Sequence, residues 1–161
     1  MKVLLAAALL LAACSREPSA AETPGAQLEA AAGAAGLIHD PRAGSLVGSW
    51  SRDTDRMCAL PAAKGGFAVG VSVDYGPGQQ CVGRGTAMRV GETVRFALGD
   101  CRVEAHFDGD SLVFPATVLD ACEALCRGRA SIASLRVERI GGSLSEAAMM
   151  RDPFGKPLCT G

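Results

Sequence analysis

Cysteine is the residue type with the most chemical potential in this sequence, which contains seven cysteines and only two histidines. Six of the cysteines follow residue 57: Cys58, Cys81, Cys101, Cys122, Cys126 and Cys159. Such thiols can form disulfides, bind zinc or carry redox chemistry, and the compartment in which a chain folds largely decides among these uses. The location of the protein therefore has to be predicted before the role of its cysteines.

The N-terminus has the pattern of a secretory signal peptide. Lys2 supplies a positive charge, and residues 3–13 form an unbroken apolar run that ends in small residues. This run is too short to span a bilayer as a finished helix, which needs about 20 apolar residues. We therefore predict a signal peptide over residues 1–13 and export of the remaining chain.

The end of this run, Leu11-Ala12-Ala13-Cys14, resembles the lipobox of bacterial lipoproteins. The resemblance implies that the signal is cut before Cys14, that diacylglycerol is joined to its sulfur, and that the new amino group is acylated, for example by palmitate. More than one acyl chain makes membrane anchoring stable. Ser15 stands where Asp commonly retains lipoproteins at the inner membrane, so we expect the outer membrane, facing the periplasm. An ordinary cleaved signal with an incidental Cys14 is the alternative.

Export favours three disulfides among the six later cysteines over zinc binding or redox use. The sequence does not select among the possible connectivities, but it constrains one pair. Cys122 and Cys126 are four residues apart in a predicted helix over residues 119–126, where Cβ atoms lie about 5–6 Å apart. A disulfide needs about 3.8 Å between Cβ atoms. If the helix is regular, each of these cysteines should bond elsewhere.

The chain divides by composition into a tether and a domain. Residues 15–43 are rich in Ala, Gly, Pro and Glu and hold too few large apolar groups to bury a core. With the lipidated Cys14 they form a predicted flexible tether, residues 14–43, in which the Ala-rich stretch 27–35 can be transiently helical. The domain is predicted over residues 44–161.

The domain shows the two-residue alternation of β-strands, most clearly over residues 67–75. Two short Gly-Asp turns test the register. A loop at Gly99-Asp100 places Leu98 opposite Cys101 and Arg95 opposite Glu104. A loop at Gly109-Asp110 places Phe107 opposite Leu112, Ala105 opposite Phe114 and Val103 opposite Ala116. Both loops give the shared strand the same inner face, which a one-residue slip would reverse, so they indicate a meander.

These patterns predict a mainly β fold, either a small antiparallel meander barrel or a curled sheet, stabilised by disulfides. Seven strands follow one another, and a final strand near residues 130–140 closes the sheet. Two short helices complete the domain. Asp120 with Glu123 resembles a capping box at the start of the first helix, and Ser143 begins the second, which runs through Met150.

Gly48-Ser49-Trp50 on the first strand resembles the start of lipocalin-like barrels. The resemblance implies that Trp50 plugs one end of the barrel and that Arg139 or Arg136, on the last strand, packs over it. Cys58-Ala59-Leu60 extends the similarity to small periplasmic metalloprotease-inhibitor barrels, which show Gly-x-Trp followed by Cys-x-Leu. In that family an N-terminal segment enters the protease cleft, a part that the tether would play here.

The residues that could support catalysis or metal binding do not form a recognisable site. His39 lies in the tether, and His106 points outward on its strand without a partner nucleophile. Asp108-Gly109-Asp110 indicates a hairpin turn, because the further oxygen ligands of a calcium loop are missing. Cys122-x-x-x-Cys126 could hold half of a metal site, but no histidine supports it. We predict no enzyme activity, no metal and no cofactor.

Arg84 is an anomaly in the predicted sheet. If Tyr75 pairs with Val82 across the Gly76-Pro77-Gly78 turn, Arg84 faces Val73 on the apolar side. Its long stem would then let the guanidinium reach the barrel rim, or the guanidinium would bind an anion inside the barrel.

The amino-acid composition limits the classes of partner and ligand that we expect. A net charge of −1, with both signs mixed along the chain, argues against a nucleic-acid partner. The low aromatic content argues against a large ligand cavity. We predict a non-enzymatic binding module, held at the membrane by its lipid and acting on an envelope protein, for instance as an inhibitor of a hydrolase such as a protease or lysozyme.

Two alternatives stay open: a structural envelope lipoprotein without a ligand, and a carrier of a small apolar molecule. An inhibitor should show an exposed, rigid loop or projecting segment with an apolar anchor. A carrier should show an apolar cavity of a few hundred Å³. A structural protein should show neither feature.

Overall fold

The computed structural model describes residues 23–35, residue 37 and residues 43–159. The chain forms two compact units, residues 1–39 and 40–161. In the first unit, helix α1 (Pro24–Ala34) begins where the Thr23 hydroxyl accepts a 3.2 Å hydrogen bond from the backbone N–H of Ala26, and it buries none of its residues. Within the described ranges, no helix is long and apolar enough to cross a bilayer.

The second unit is a closed antiparallel barrel of eight strands in meander order, with β8 paired to β1. This confirms the predicted fold class and shows that the sheet is a barrel. The strands are β1 (Gly48–Arg52), β2 (Asp55–Pro61), β3 (Phe67–Asp74), β4 (Gln80–Val90), β5 (Thr93–Leu98), β6 (Cys101–Phe107), β7 (Ser111–Val113) and β8 (Arg136–Gly141). Helices α2 (Asp120–Glu123) and α3 (Leu144–Met149) flank β8 in the sequence.

The two Gly-Asp hairpins have the predicted register at their turns. Leu98 pairs with Cys101, and Phe107 pairs with Leu112. The predicted pairs of β6 with Phe114 and Ala116 are wrong, because β7 ends at Val113. Pro115 has no N–H to donate to a ladder, and the N–H of Phe114 instead donates to the carbonyl of Leu135 at 2.8 Å.

The predicted β3–β4 register is also wrong. Val82 pairs with Ser72 rather than with Tyr75, because the connecting loop spans Tyr75 to Gln79 and Val73 pairs with Cys81. A shift of three residues turns every side chain of β4 to the opposite face. The inner face of β4 therefore carries small residues, and a Cβ at Gly83 would lie only 3.0 Å from the side chain of Leu98.

The expected final strand over residues 130–140 begins only at Arg136. Ser134 has a positive φ of 58°, which is incompatible with an extended strand at that position. Ala130 and Ile132 are nevertheless buried, so this segment packs on the core without joining the sheet.

Trp50 closes the end of the barrel at which β1 begins. Its indole N–H donates to the carbonyl of Leu46 at 3.0 Å, and its ring meets Phe107 edge-on with centroids 5.7 Å apart. Arg139 lies 4.6 Å from the Trp50 ring centroid, and Arg89 lies 4.4 Å from that of Phe107. Of the two arginines considered for this role, Arg136 is instead exposed beside Glu138.

Arg139→Gln is expected to lower the free energy of unfolding by about 1–2 kcal/mol. It removes a partly desolvated cation–π contact and a 3.2 Å hydrogen bond to the carbonyl of Val47. Arg136→Gln, on the same strand, should cost less than about 0.5 kcal/mol. Urea unfolding followed by the fluorescence of the single Trp measures both variants; equal losses would contradict the assigned role of Arg139.

Candidate functional site

The six later cysteines form three disulfides, as predicted. They join Cys58 to Cys159, Cys81 to Cys126 and Cys101 to Cys122. Cys122 and Cys126 each bond elsewhere, as expected for a regular helix, although the helix itself ends before Cys126. Cys14 and His39, in contrast, lie outside the described residues.

Helix α2 is shorter than predicted, since it ends at Glu123 rather than at Cys126. Leu119 occupies the N-cap position without a side-chain hydrogen bond, so the predicted Asp120–Glu123 capping box does not form. The helix is held by covalent bonds instead. The disulfides of Cys122 and Cys126 attach residues 114–135 to β6 and β4, at the end of the barrel opposite Trp50.

The carboxylate of Asp108 accepts hydrogen bonds from residues of its own hairpin. One carboxylate oxygen accepts from the N–H of Asp110 at 3.0 Å and from the N–H of Ser111. The other accepts the Ser111 hydroxyl at 2.6 Å. Partial burial raises the pKa of Asp108, but these hydrogen bonds outweigh burial and hold the pKa below its usual value. The Asp-Gly-Asp sequence is thus a turn whose first carboxylate is already satisfied.

Arg84 lies on the outer face of the barrel, so its predicted position on the apolar side is wrong. The error follows from the β3–β4 register. Its guanidinium forms an ion pair with Asp152 and donates to the carbonyl of Pro157 at 2.9 Å. The anion that Arg84 binds is therefore a carboxylate of the protein itself.

Residues 143–159 form a C-terminal layer on the outer face of the barrel. Helix α3 begins at Ser143, whose hydroxyl accepts from the N–H of Glu146 at 3.3 Å, and it contacts β1 and β2. Gly70 permits the close approach of the tail, because a Cβ there would lie 2.1 Å from the carbonyl oxygen of Leu158. A second apolar cluster fills the contact, and the Cys58–Cys159 disulfide lies within it.

After helix α3 this layer contains a short turn, residues 152–156, which we call the Asp152 loop. One Asp152 carboxylate oxygen accepts from the N–H groups of Phe154 and Lys156 at 2.8 and 2.9 Å. The other accepts from Arg84. The Asp152 N–H donates to the carbonyl of Lys156 at 2.9 Å, and Gly155 supplies the positive φ of 76° that the turn needs. A buried carboxylate thus organises the whole loop.

The Asp152 loop presents an aromatic side chain to solvent. Phe154 is 52% exposed, and the Arg127 guanidinium lies 5.7 Å from its ring centroid. Phe154 forms one wall of a groove of about 320 Å³ beside the end of α2. On the other flank of the loop, Pro153 lines a larger groove of about 420 Å³. The loop therefore stands between two open depressions.

The pKa of Asp152 is lowered. Burial alone would raise it, but the Arg84 guanidinium and the two backbone N–H groups outweigh burial. A carboxylate with a lowered pKa stabilises the fold above its unfolded pKa of about 3.9, and this contribution disappears as pH falls through the folded pKa.

Asp152→Asn is therefore expected to lower the free energy of unfolding by about 2 kcal/mol at pH 7, because the charge-assisted bond to Arg84 is lost. The difference from wild type should shrink as pH falls below about 4. Asp100→Asn, at an exposed hairpin turn, is the matched control. Urea unfolding at several pH values tests this, and a constant difference between pH 7 and pH 2 would be inconsistent with it.

The interior of the barrel is filled by its own side chains. The largest fully buried residues include Trp50, Phe96, Phe107, Phe114, Leu98 and Leu112. The principal pockets formed by the described residues are surface grooves. A small apolar molecule would have to displace this core to enter the barrel.

Sequence patterns did not identify Phe154 as an exposed anchor. The available signal was Asp152-Pro153 followed by Gly155, residue types that favour a turn after a helix.

No protein family matches the chain, and no curated protein or solved structure is significantly similar to it.

Proposed function

We propose that this protein is a lipid-anchored periplasmic binding module that docks on an envelope hydrolase, such as a protease or lysozyme, and inhibits it. The observation that carries this proposal is Phe154, an exposed aromatic side chain on a loop whose backbone is fixed by the buried Asp152. Binding energy at interfaces is concentrated in a few such anchors.

The rigidity of the Asp152 loop supports a role in binding. Ordering a flexible loop costs free energy on association, and a loop that is already ordered avoids this cost. The hydrogen bonds of Asp152 and the Cys58–Cys159 disulfide, three residues beyond the loop, both restrict it before any partner arrives. A purely structural lipoprotein has no evident need for a preorganised aromatic turn.

The filled barrel interior favours this proposal over a carrier of small apolar molecules. The mode of binding also differs from that implied by the resemblance to metalloprotease inhibitors. There an N-terminal segment enters the protease cleft, whereas here we assign the contact to the Asp152 loop of the C-terminal layer.

Phe154→Ala is expected to weaken partner binding at least about 30-fold, the equivalent of about 2 kcal/mol for an aromatic hot spot. Full-length mature protein, in detergent, would be used to capture partners from envelope extract, and the hydrolase activity of each captured enzyme would be titrated with wild type and variant. Ile140→Ala is the matched control, because Ile140 is 66% exposed but lies on β8.

The proposal requires wild type and Ile140→Ala to inhibit the captured hydrolase alike, and Phe154→Ala to fail. Equal inhibition by Phe154→Ala would exclude the Asp152 loop as the binding element. Capture of proteins whose activity does not change would favour a structural role.

A further inference from the structure

We propose that the larger groove beside the Asp152 loop is a carboxylate subsite, and that its ligand is an acidic side chain of the docked partner. This inference rests on the proposed function, because it names the chemistry that the partner must bring. The groove measures about 420 Å³ and lies between the first half of the C-terminal tail and the outer face of β2 and β3.

The base of the groove contains an unsatisfied donor. Ser72 is only 1% exposed, and its hydroxyl has no hydrogen-bond partner in the described structure. Ser72 lies on the outer face of β3 and lines the groove. A buried hydroxyl without a partner costs about 1–3 kcal/mol, and a ligand oxygen would remove this cost if the overlying tail shifts to expose the hydroxyl, which now has less than 1 Å² of accessible surface.

Two guanidinium groups line the same groove. Arg56 lies directly opposite Ser72 in the β2–β3 register, and Arg151 belongs to the facing tail. Neither arginine takes part in a salt bridge among the described residues. Guanidinium groups bind carboxylates through paired charge-assisted hydrogen bonds, so both are available to an incoming acid.

The charge of the groove favours an anion with one negative charge. Asp74 and Asp152 also line it, but Asp152 is paired with Arg84, which lies beneath the tail. One Asp74 oxygen accepts from the N–H of Gly76 at 3.0 Å. The lining itself holds two arginines and two aspartates; because Arg84, outside the lining, neutralises Asp152, Arg56 and Arg151 are opposed there by Asp74 alone.

Apolar walls indicate that the carboxylate arrives on an aliphatic stem. Met149, Met150 and Pro153 line the groove together with its charged groups. The methylene groups of an Asp or Glu side chain can pack against such walls while the carboxylate reaches the arginines and Ser72. Since Pro153 and Phe154 are adjacent, a partner that contacts Phe154 is close enough to place an acidic residue in the groove.

The test uses a small probe and needs no partner. N-acetylglutamate would be titrated into isotope-labelled full-length protein and followed by amide NMR shifts. N-acetylglutamine serves as the neutral control and inorganic phosphate as a competing anion. We expect saturable shifts confined to residues 54–56, 72–74 and 149–153, with a dissociation constant in the millimolar range. The neutral amide should bind at least about 5-fold more weakly.

Three variants should each weaken the binding of N-acetylglutamate at least about 5-fold: Arg56→Gln, Arg151→Gln and Ser72→Ala. The control variant Arg136→Gln should bind it like the wild type. Non-saturable shifts with wild type, equal binding of the amide, or tighter binding of phosphate would each overturn the carboxylate assignment. This result is independent of partner capture. If N-acetylglutamate fails while Phe154→Ala still abolishes inhibition, only the subsite is lost and the proposed function stands.

Discussion

Replacing both Cys58 and Cys159 by serine is expected to lower the free energy of unfolding by about 4.7 kcal/mol, from the loop-closure entropy of a chain cross-linked over about 100 residues. The two cysteines are 101 residues apart, the largest separation among the three disulfides. The bond also lies in the apolar cluster that holds the C-terminal layer on the barrel. Its loss should therefore destabilise the whole domain and loosen the Asp152 loop.

The other two disulfides provide matched controls for this prediction. Cys81 and Cys126 are 45 residues apart, and Cys101 and Cys122 are 21 residues apart. The same entropy relation gives about 4.0 and about 3.3 kcal/mol for their removal. Urea unfolding of the three double-serine variants measures the order. A smaller loss for Cys58–Cys159 than for Cys101–Cys122 would show that chain entropy does not govern these differences.

The removal of the Cys58–Cys159 bond should also have a local signature. Limited proteolysis of the double variant is expected to cut first within the C-terminal layer, because α3 and the tail would be held only by non-covalent contacts. The barrel strands should be cut later. Cleavage that begins elsewhere would argue that the layer is stable without its covalent link.

The parts of the fold that could be predicted are those set by neighbouring residues. In the β5–β6 hairpin, Arg95 faces Glu104 and the two side chains form a 2.8 Å ion pair, as the alternation and the Gly99-Asp100 turn required. The cysteine pattern predicted three disulfides, and the four-residue spacing disfavoured a bond between Cys122 and Cys126 for a regular helix. The strand order predicted a meander but left a barrel and a curled sheet open; the pairing of β8 with β1 decides for the barrel.

The β3–β4 register could not be predicted, because it depends on the length of a loop. A loop over residues 76–81, which would pair Tyr75 with Val82, and one over residues 75–79 are both compatible with the sequence. Packing decides between them, since the observed register places Gly83 where Leu98, Leu125 and Val71 already fill the space. The face on which Arg84 lies depends on this choice.

The candidate site could not be predicted from the sequence, for a related reason. Arg84 and Asp152 are 68 residues apart, and no local pattern links them. Ser72 occupies an outward position of a strand and would ordinarily meet water; the tail that buries it is fixed by Cys58 and Cys159, whose pairing sequence did not reveal. The Asp152 loop is closed by local hydrogen bonds, but its attachment to Arg84 and the burial of Ser72 both depend on long-range contacts.

The largest change in membrane association is expected from Cys14→Ser, which would remove the predicted attachment point of the proposed lipid anchor. Acyl chains contribute about 0.8 kcal/mol per buried CH₂, so the loss of all of them should lower the ratio of membrane-bound to soluble protein at least about 100-fold. Ser15→Ala, at the next residue, is the control for cleavage of the signal. Fractionation of cells, with metabolic labelling by a fatty acid, measures both anchoring and acylation.

The Cys14→Ser result bears on the cysteines as well as on the anchor, because the oxidising periplasm is the reason to expect three disulfides in the living cell. If the variant is released but still exported, its six later cysteines should remain blocked to thiol reagents, and soluble protein should still inhibit the partner in extract. If the wild-type protein stayed in the cytoplasm with free thiols and took up no fatty-acid label, three predictions would be contradicted together. These are the lipid anchor, the disulfides in the living cell and the periplasmic hydrolase as partner.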